Sequence, residues 1–369
     1  MLPNRSCALL IKYVPAMCLP GMTRGASCLF SLALFFMLFM PVVGIAQQGH
    51  PNPFNRPGGF APSIQALVST DKSLLYAGSF GMGMFLSGDQ GETWESVNSG
   101  LSDRFILCLA SDPRGIVYTG TVRGGIFRTK EDGKTWESVN KGLKRVEVKS
   151  LLANTRGIYA GTGRGVYKWD ETGKQWIVVA KGLDQTLVSS LVMLDNQRLI
   201  AGTAGKGLLS LDTTKPGQAV WERIDNRFVD PKEHLIHNHI RVVAVGPNQH
   251  IYAGTQNGGL YRSRDLGKSW DSIGRSLPND SIRSIVPTNR GLFVGTGRGV
   301  FQSTLRDRKW SSVNSGLTEL AVQVLTASPQ GDLYVGASVG AFRSRDHGNH
   351  WDNISEGFGI QFRMPRPYF

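Results

Sequence analysis

Seven tryptophans recur at nearly constant spacing, and nothing else in the sequence limits the possible folds as much. Trp94, Trp136, Trp176, Trp221, Trp270, Trp310 and Trp351 are separated by 42, 40, 45, 49, 40 and 41 residues, and Trp169 alone falls outside the series. A fixed period of this length marks a repeat architecture in which each copy is one supersecondary unit. Ahead of each tryptophan stands a small-residue strand: LLYAGS (74–79), IVYTGT (116–121), GIYAGT (157–162), RLIAGT (198–203), HIYAGT (250–255), GLFVGT (291–296) and DLYVGA (332–337). Each copy also opens on an apolar run, such as Phe105 to Ala110, and has a further strand between a Gly-rich turn and an acidic turn. Four short strands per copy, turn signals between them and no helical period predict the blades of a β-propeller.

The predicted fold is therefore all-β, a single seven-bladed β-propeller of four-stranded antiparallel blades spanning 64–358. Blade cores are expected at 64–98, 105–140, 147–180, 187–225, 239–274, 282–314 and 321–355. Each copy is complete in chain order, so blade seven should close on blade one without strand exchange; whether the 359–369 tail adds an edge strand stays open. Glycine, 45 of 369 residues, stands well above the ~7% of average usage. A chain that is 41% hydrophobic and 19% charged is too apolar for a disordered segment and too poor in charge for a coiled coil.

The N-terminal region reads differently. Cys28 to Met40 (CLFSLALFFMLFM) is apolar apart from Ser31, follows Arg24, and precedes Gly44 and Ala46 at signal-peptidase spacing. Residues 1–46 are expected to be a cleaved signal peptide, with Met22 a possible true start, and 47–63 a Pro/Gly/Asn-rich flexible linker. The alternative is a retained anchor; cleavage leaves no stable membrane anchor. The mature part is then extracytoplasmic, periplasmic or secreted. The leader removes three cations and three cysteines, leaving Cys108 alone without a disulfide partner and 38 basic against 28 acidic residues.

The turn before each tryptophan carries a motif. Ser87-Gly-Asp89-Gln-Gly91-Glu-Thr93-Trp94 fits Ser-x-Asp-x-Gly-x-Thr-Trp throughout, Ser263 to Trp270 fits nearly so, and Ser344 to Trp351 keeps the frame. Glu131 and Glu171 stand in the acidic place in blades two and three, while blades four and six have lost the box. Across 64–358 this resembles the Asp-box, or BNR, repeat of sialidase-like propellers. A short carboxylate accepts N–H bonds inside its own turn, glycine supplies positive φ, and tryptophan fills the wedge between blades. Asp89, Glu131, Glu171, Asp265 and Asp346 are thus expected to be fold residues rather than catalytic ones. Sialidases have six blades and a Phe/Tyr-Arg-Ile-Pro segment, which is absent here; xyloglucan hydrolases pair two seven-bladed propellers, where this chain supplies one. The sequence is more similar to exported single-propeller proteins of the photosystem II stability and assembly factor type. That resemblance implies an Arg-rich patch and a scaffold role for partner proteins.

Strand order puts the second-to-third turns and the blade connections on one face, here the top. At equivalent positions those turns carry Arg123, Arg164, Lys206, Asn257 and Arg298, with Met82 and Val339 in blades one and seven; the connections add Arg104, Lys144, Arg145, Arg275 and Arg283. These cations are expected to ring one end of the central channel and focus a positive potential. The function expected is non-enzymatic binding of an acidic protein or other anionic ligand there. The alternative is a glycoside hydrolase using top-face carboxylates from Asp103, Glu147, Asp184, Asp280 and Glu319, since glycosidases need two facing acids. Nucleic acid is not expected, because only Phe80, Phe105 and Phe228 offer a stacking surface. No cofactor is expected: the Gly161 and Gly295 Gly-rich loops lack the following helix of a phosphate-binding loop. His234, His237 and His239 are weak metal candidates without a recognised ligand spacing. The oligomeric state is left open.

Overall fold

The computed structural model describes residues 61–144, 147–195, 197–214, 219–225, 238–278, 281–304 and 309–358. The expected leader, the linker up to residue 60 and the 359–369 tail lie outside them. The described residues form 28 strands and no helix, arranged as seven four-stranded sheets whose strands pair in chain order. The seven-bladed propeller is what the tryptophan period predicts.

The seven first strands are Ile64–Ser69, Ile106–Ser111, Val148–Asn154, Val188–Leu194, Ile240–Val245, Ile282–Pro287 and Val322–Ala327. Each packs on the first strand of the next blade, and that of blade seven packs on that of blade one, so these strands wall the central channel and the ring closes without strand exchange. Every one of them opens on a fully buried Ile or Val. That residue explains the Tyr-x-Gly strand. A Cβ placed on Gly78 would lie 2.4 Å from Ile106 Cγ2, and one on Gly336 would lie 2.7 Å from Ile64 Cγ2. Gly120, Gly161, Gly202, Gly254 and Gly295 face the next blade's Val148, Val188, Ile240, Ile282 and Val322 in the same way. The glycine of each blade is the socket for a β-branched knob of the next.

The core accordingly lies between blades. Ile64, Leu75, Phe85 and Trp94 of blade one, for example, share one cluster with Tyr334, Ala341, Ile354 and Phe358 at the end of blade seven. The periodic tryptophans bond these interfaces together. The indole N–H of Trp94 donates to the Ile354 carbonyl at 2.8 Å, that of Trp136 to Val97 at 2.7 Å and that of Trp351 to Val313 at 2.7 Å, each in the preceding blade. Trp176, Trp270 and Trp310 repeat the bond to Val139, Ile224 and Ile273. Trp221 is buried without a hydrogen-bond partner among the described residues, in the blade whose acidic turn is interrupted by an insertion.

In blades one, five and seven the acidic turns close on themselves. The Ser87 hydroxyl donates to Asp89 Oδ1 at 2.8 Å and accepts from the Gly91 N–H, while the Thr93 N–H and hydroxyl donate to the two Asp89 oxygens. Asp265 is bonded the same way by Ser263 and Ser269, and Asp346 by Ser344 and His350. Gln90, Leu266 and His347 sit at φ near 61°, just before the turn glycines. In blade two Thr129 takes the serine place and accepts from the Glu131 and Gly133 N–H groups, so the frame is kept there, but blade three departs from it. In blade three it is Asp170, not Glu171, that accepts the N–H groups of Thr172 and Gly173. Glu171 instead lies 3.7 Å from Arg114. The reason is Trp169, which occupies the place of the turn's serine and packs edge-on against Trp176 beneath the Arg128 guanidinium.

Candidate binding face

The turns between second and third strands are built by a buried hydroxyl. Thr121, Thr162, Thr203, Thr255 and Thr296 each donate to the carbonyl of the glycine that ends the turn, at 2.7–3.1 Å. Three of these hydroxyls accept in return from the backbone N–H of the cation itself: Arg164 at 3.0 Å, Lys206 at 3.1 Å and Arg298 at 3.0 Å. Each cation is therefore fixed at the apex of a tight turn. The same turns bond to the blade connections: Gly81 N–H to Arg104 O, Gly163 N–H to Glu147 O, and Gln256 N–H to His239 O. Turns and connections share one face, as expected from strand order.

Arg104, Arg123, Arg164, Lys206, Asn257, Arg275 and Arg298 are all exposed on this face. Arg145 lies outside the described residues. Among the described residues, no carboxylate is within ion-pairing distance of Arg104, Arg123, Arg164, Lys206 or Arg298; Lys206 instead donates to the Gly182 carbonyl at 2.8 Å. On the opposite face Arg156 and Arg290 are likewise exposed without a carboxylate partner among the described residues, but two other cations are paired. Lys72 pairs with Asp132 at 3.1 Å, and Arg114 pairs with the buried Asp112 at 2.7 Å.

The top face also has an apolar sector. Phe80 and Phe105 are 50% and 43% exposed and meet edge to face at 4.9 Å, and Leu320 and Val339 are 43% and 38% exposed. Hydrogen bonds run through this sector from Gly340 N–H to Pro62 O and from Phe80 N–H to Ser63 O, so blades seven and one form one surface.

The placement of the cations requires a correction. In a sheet with ~4.8 Å strand spacing, a turn joining the second and third strands lies roughly 7 Å farther from the axis than the first strand. Arg123, Arg164, Lys206, Asn257 and Arg298 thus form an outer ring, and the channel mouth is lined by other residues. The register of every blade slips at the second residue of its first strand, a β-bulge at the top end of the strands that wall the channel. Those residues are Gln65, Leu107, Lys149, Ser189, Arg241, Arg283 and Gln323. Arg283, expected on a connection, belongs to this inner set, and Lys149 and Arg241 were not anticipated. The signal was present in the sequence: in six of the seven blades a polar residue stands second in the first-strand run.

Lys149 is neutralised by Glu147 at 2.8 Å. Asp103 accepts the N–H groups of Phe105, Arg123 and Gly124 at 2.7–3.0 Å. Burial pushes its pKa up, but those bonds outweigh burial and hold the carboxyl below its ordinary range. Glu319 accepts the Ala321 N–H at 2.8 Å. Three of the candidate acids are thus engaged by their own loops, Asp184 is exposed, and Asp280 lies outside the described residues. His239 pairs through its backbone with Ala204, while His234, His237 and Phe228 lie outside the described residues. Cys108 is buried in the first strand of blade two, as its apolar run implies, and burial pushes its thiol up to about 12.

No family model and no curated protein matches the sequence. Solved structures match in fold. The GH74 enzyme of Niastella koreensis aligns with a TM-score of 0.61 at 14% identity, over 81% of this chain and 55% of that one. The extracellular domain of the putative hybrid two component system BT3049 from B. thetaiotaomicron gives 0.59 at 13% identity, over 76% of this chain and 40% of that one. The WD40 β-propeller domain of Doa1 gives 0.58 at 14% identity, over 79% and 96%. The chain spans about half the length of the first two. Likeness at these identities is one of fold, which hosts many functions.

Proposed function

We propose that this protein is an extracytoplasmic, non-enzymatic propeller of the Asp-box type that binds an acidic protein partner through its top face. The observation that carries this reading is the recurrence of exposed top-face cations without carboxylate partners at one turn position of the repeat, whereas Lys72 and Arg114 on the opposite face are paired with acids. Unneutralised cations held on short, hydroxyl-braced turns steer and orient an anionic surface. The apolar sector around Phe80 and Phe105 favours a protein over a simple polyanion, since aromatic anchors flanked by arginine are typical of protein interfaces. Export rests on the apolar leader with its small-residue cleavage site. A hydrolase reading gains little, because Asp103 and Glu319 are held by backbone N–H groups and Glu147 by Lys149.

The test reverses Arg123, Arg164, Lys206 and Arg298 to Glu in one variant, and Lys72, Arg114, Arg156 and Arg290 in another. Partners captured from the native envelope are identified, and their affinity is then measured against both. Loss in the first variant with retention in the second supports the reading. Equal loss reduces it to nonspecific attraction, and unchanged binding in the first variant overturns it.

A further inference from the structure

The channel mouth carries two charges that the fold does not require. Arg241 and Arg283 occupy the same bulge position in the first strands of adjacent blades, Ile240–Val245 and Ile282–Pro287, which pack directly on each other. One nitrogen of Arg241 donates to the Ser281 hydroxyl at 3.2 Å, and one nitrogen of Arg283 donates to the Val322 carbonyl at 3.0 Å. Each guanidinium has five N–H donors. Arg283 Nε is buried with no hydrogen-bond partner, and among the described residues no carboxylate pairs with either arginine.

Neutral residues fill this position elsewhere at no evident loss: Gln65 in blade one, Leu107 in blade two and Gln323 in blade seven. Ser189 bonds the next blade's Ile240 carbonyl with a hydroxyl, the same link that Arg283 makes with a charge. Two neighbouring cations in a partly desolvated mouth repel each other, and burial together with the Arg283 charge holds Arg241 below its ordinary pKa. An oxyanion between them that offers two oxygens removes the repulsion and takes up the spare N–H groups, the geometry for which guanidinium is suited.

We propose that Arg241 and Arg283 form a binding site for a single oxyanion, a carboxylate or phosphate group, at the top mouth of the central channel. It is separate from the outer ring of cations and does not depend on that ring being used. The anion is either a free small molecule or a carboxylate presented by a polypeptide.

Isothermal titration of the full mature chain with inorganic phosphate, succinate and a short Asp/Glu peptide distinguishes these sources. The expected result is one-to-one saturation by at least one probe, weakened about tenfold or more in R241Q and in R283Q but not in R298Q of the outer ring. Binding of succinate or phosphate assigns a free small anion; binding of the peptide alone assigns a polypeptide carboxylate. Thermal melting at low salt is the second measurement. Relief of repulsion leaves R241Q as stable as the parent or more so, whereas a merely structural pair would lose stability. Absence of saturable binding by all three probes, equal weakening in R298Q, or a lowered melting temperature in R241Q overturns the proposal.

Discussion

At Gly120 there is no room for a methyl group: a Cβ would lie 2.6 Å from both the Cys108 sulfur and Val148 Cγ1. Neither neighbour can yield, since Cys108 is held between strands and Val148 is the fully buried knob of blade three. Gly120→Ala is therefore expected to cost about 1–3 kcal/mol by overpacking, measured by urea denaturation. An unchanged midpoint would remove the knob-and-socket account of the Tyr-x-Gly strand. The acidic turns make a pH prediction. At Asp265 the Ser269 hydroxyl and N–H lower the pKa from 3.8 to about 2; at Asp89 slight burial raises it, but the Thr93 and Ser87 bonds prevail and bring it to about 2. Folded-state values below the unfolded one mean that these carboxylates contribute stability fully above pH 3.8 and lose it as pH falls towards 2. Melting temperature should fall less steeply between about pH 5 and pH 2 in the Asp89→Asn, Asp265→Asn double variant than in the parent. Parallel acid profiles would show that the turns do not sense protonation.

The blades are not equivalent elements, and the closing junction depends on one side chain. Arg343 in Ala341–Ser344 of blade seven is 2% exposed, and it donates to the Gln90 carbonyl at 2.9 Å and to Glu92 at 2.7 Å in the acidic turn of blade one. Arg345 reaches the same glutamate at 2.9 Å but is 54% exposed. A guanidinium buried with its bonds loses more on removal than one that lies mostly in water, where solvent replaces the lost partner. Arg343→Met should therefore lower the unfolding midpoint well below that of Arg345→Met, which should stay near the parent. Similar midpoints for the two variants would mean that the Arg343 bonds do not hold the ring closed. Much at this scale was legible in the sequence: seven Trp and seven glycine-bearing small-residue strands, five of them Tyr-x-Gly, mark every blade, and strand order follows from the turns between them. Blade three was misread in detail because Trp169 fills the serine place by packing on Trp176, a tertiary contact that no spacing rule records. The fourth strands are mostly two residues long, because the chain leaves the ladder soon after each tryptophan.

For the whole molecule, the sequence located the face but not the mouth of the channel. Recurrence of a cation at one repeat position was enough to place Arg123, Arg164, Lys206 and Arg298 together, because turn positions are set by local pairing. Arg241 and Arg283 escaped because a bulge breaks the two-residue alternation on which strand reading rests. The same charge distribution governs stability. Exposed top-face cations that form no ion pair among the described residues repel one another, and that repulsion falls as ions screen it over a Debye length of about 10 Å at 0.1 M salt. Added salt should thus raise the melting temperature of the parent protein. Neutralising Arg123, Arg164 and Arg298 to Gln should raise it at low salt and flatten its salt dependence, because the turn bonds at these positions come from backbone N–H groups that Gln retains. Neutralising Lys72 and Arg114 should do the reverse at low salt, since both are paired with acids. Melting curves of the three proteins across a salt series decide the matter. A top-face variant less stable than its parent at low salt would mean that these cations serve the fold, and their recurrence would then lose its bearing on function.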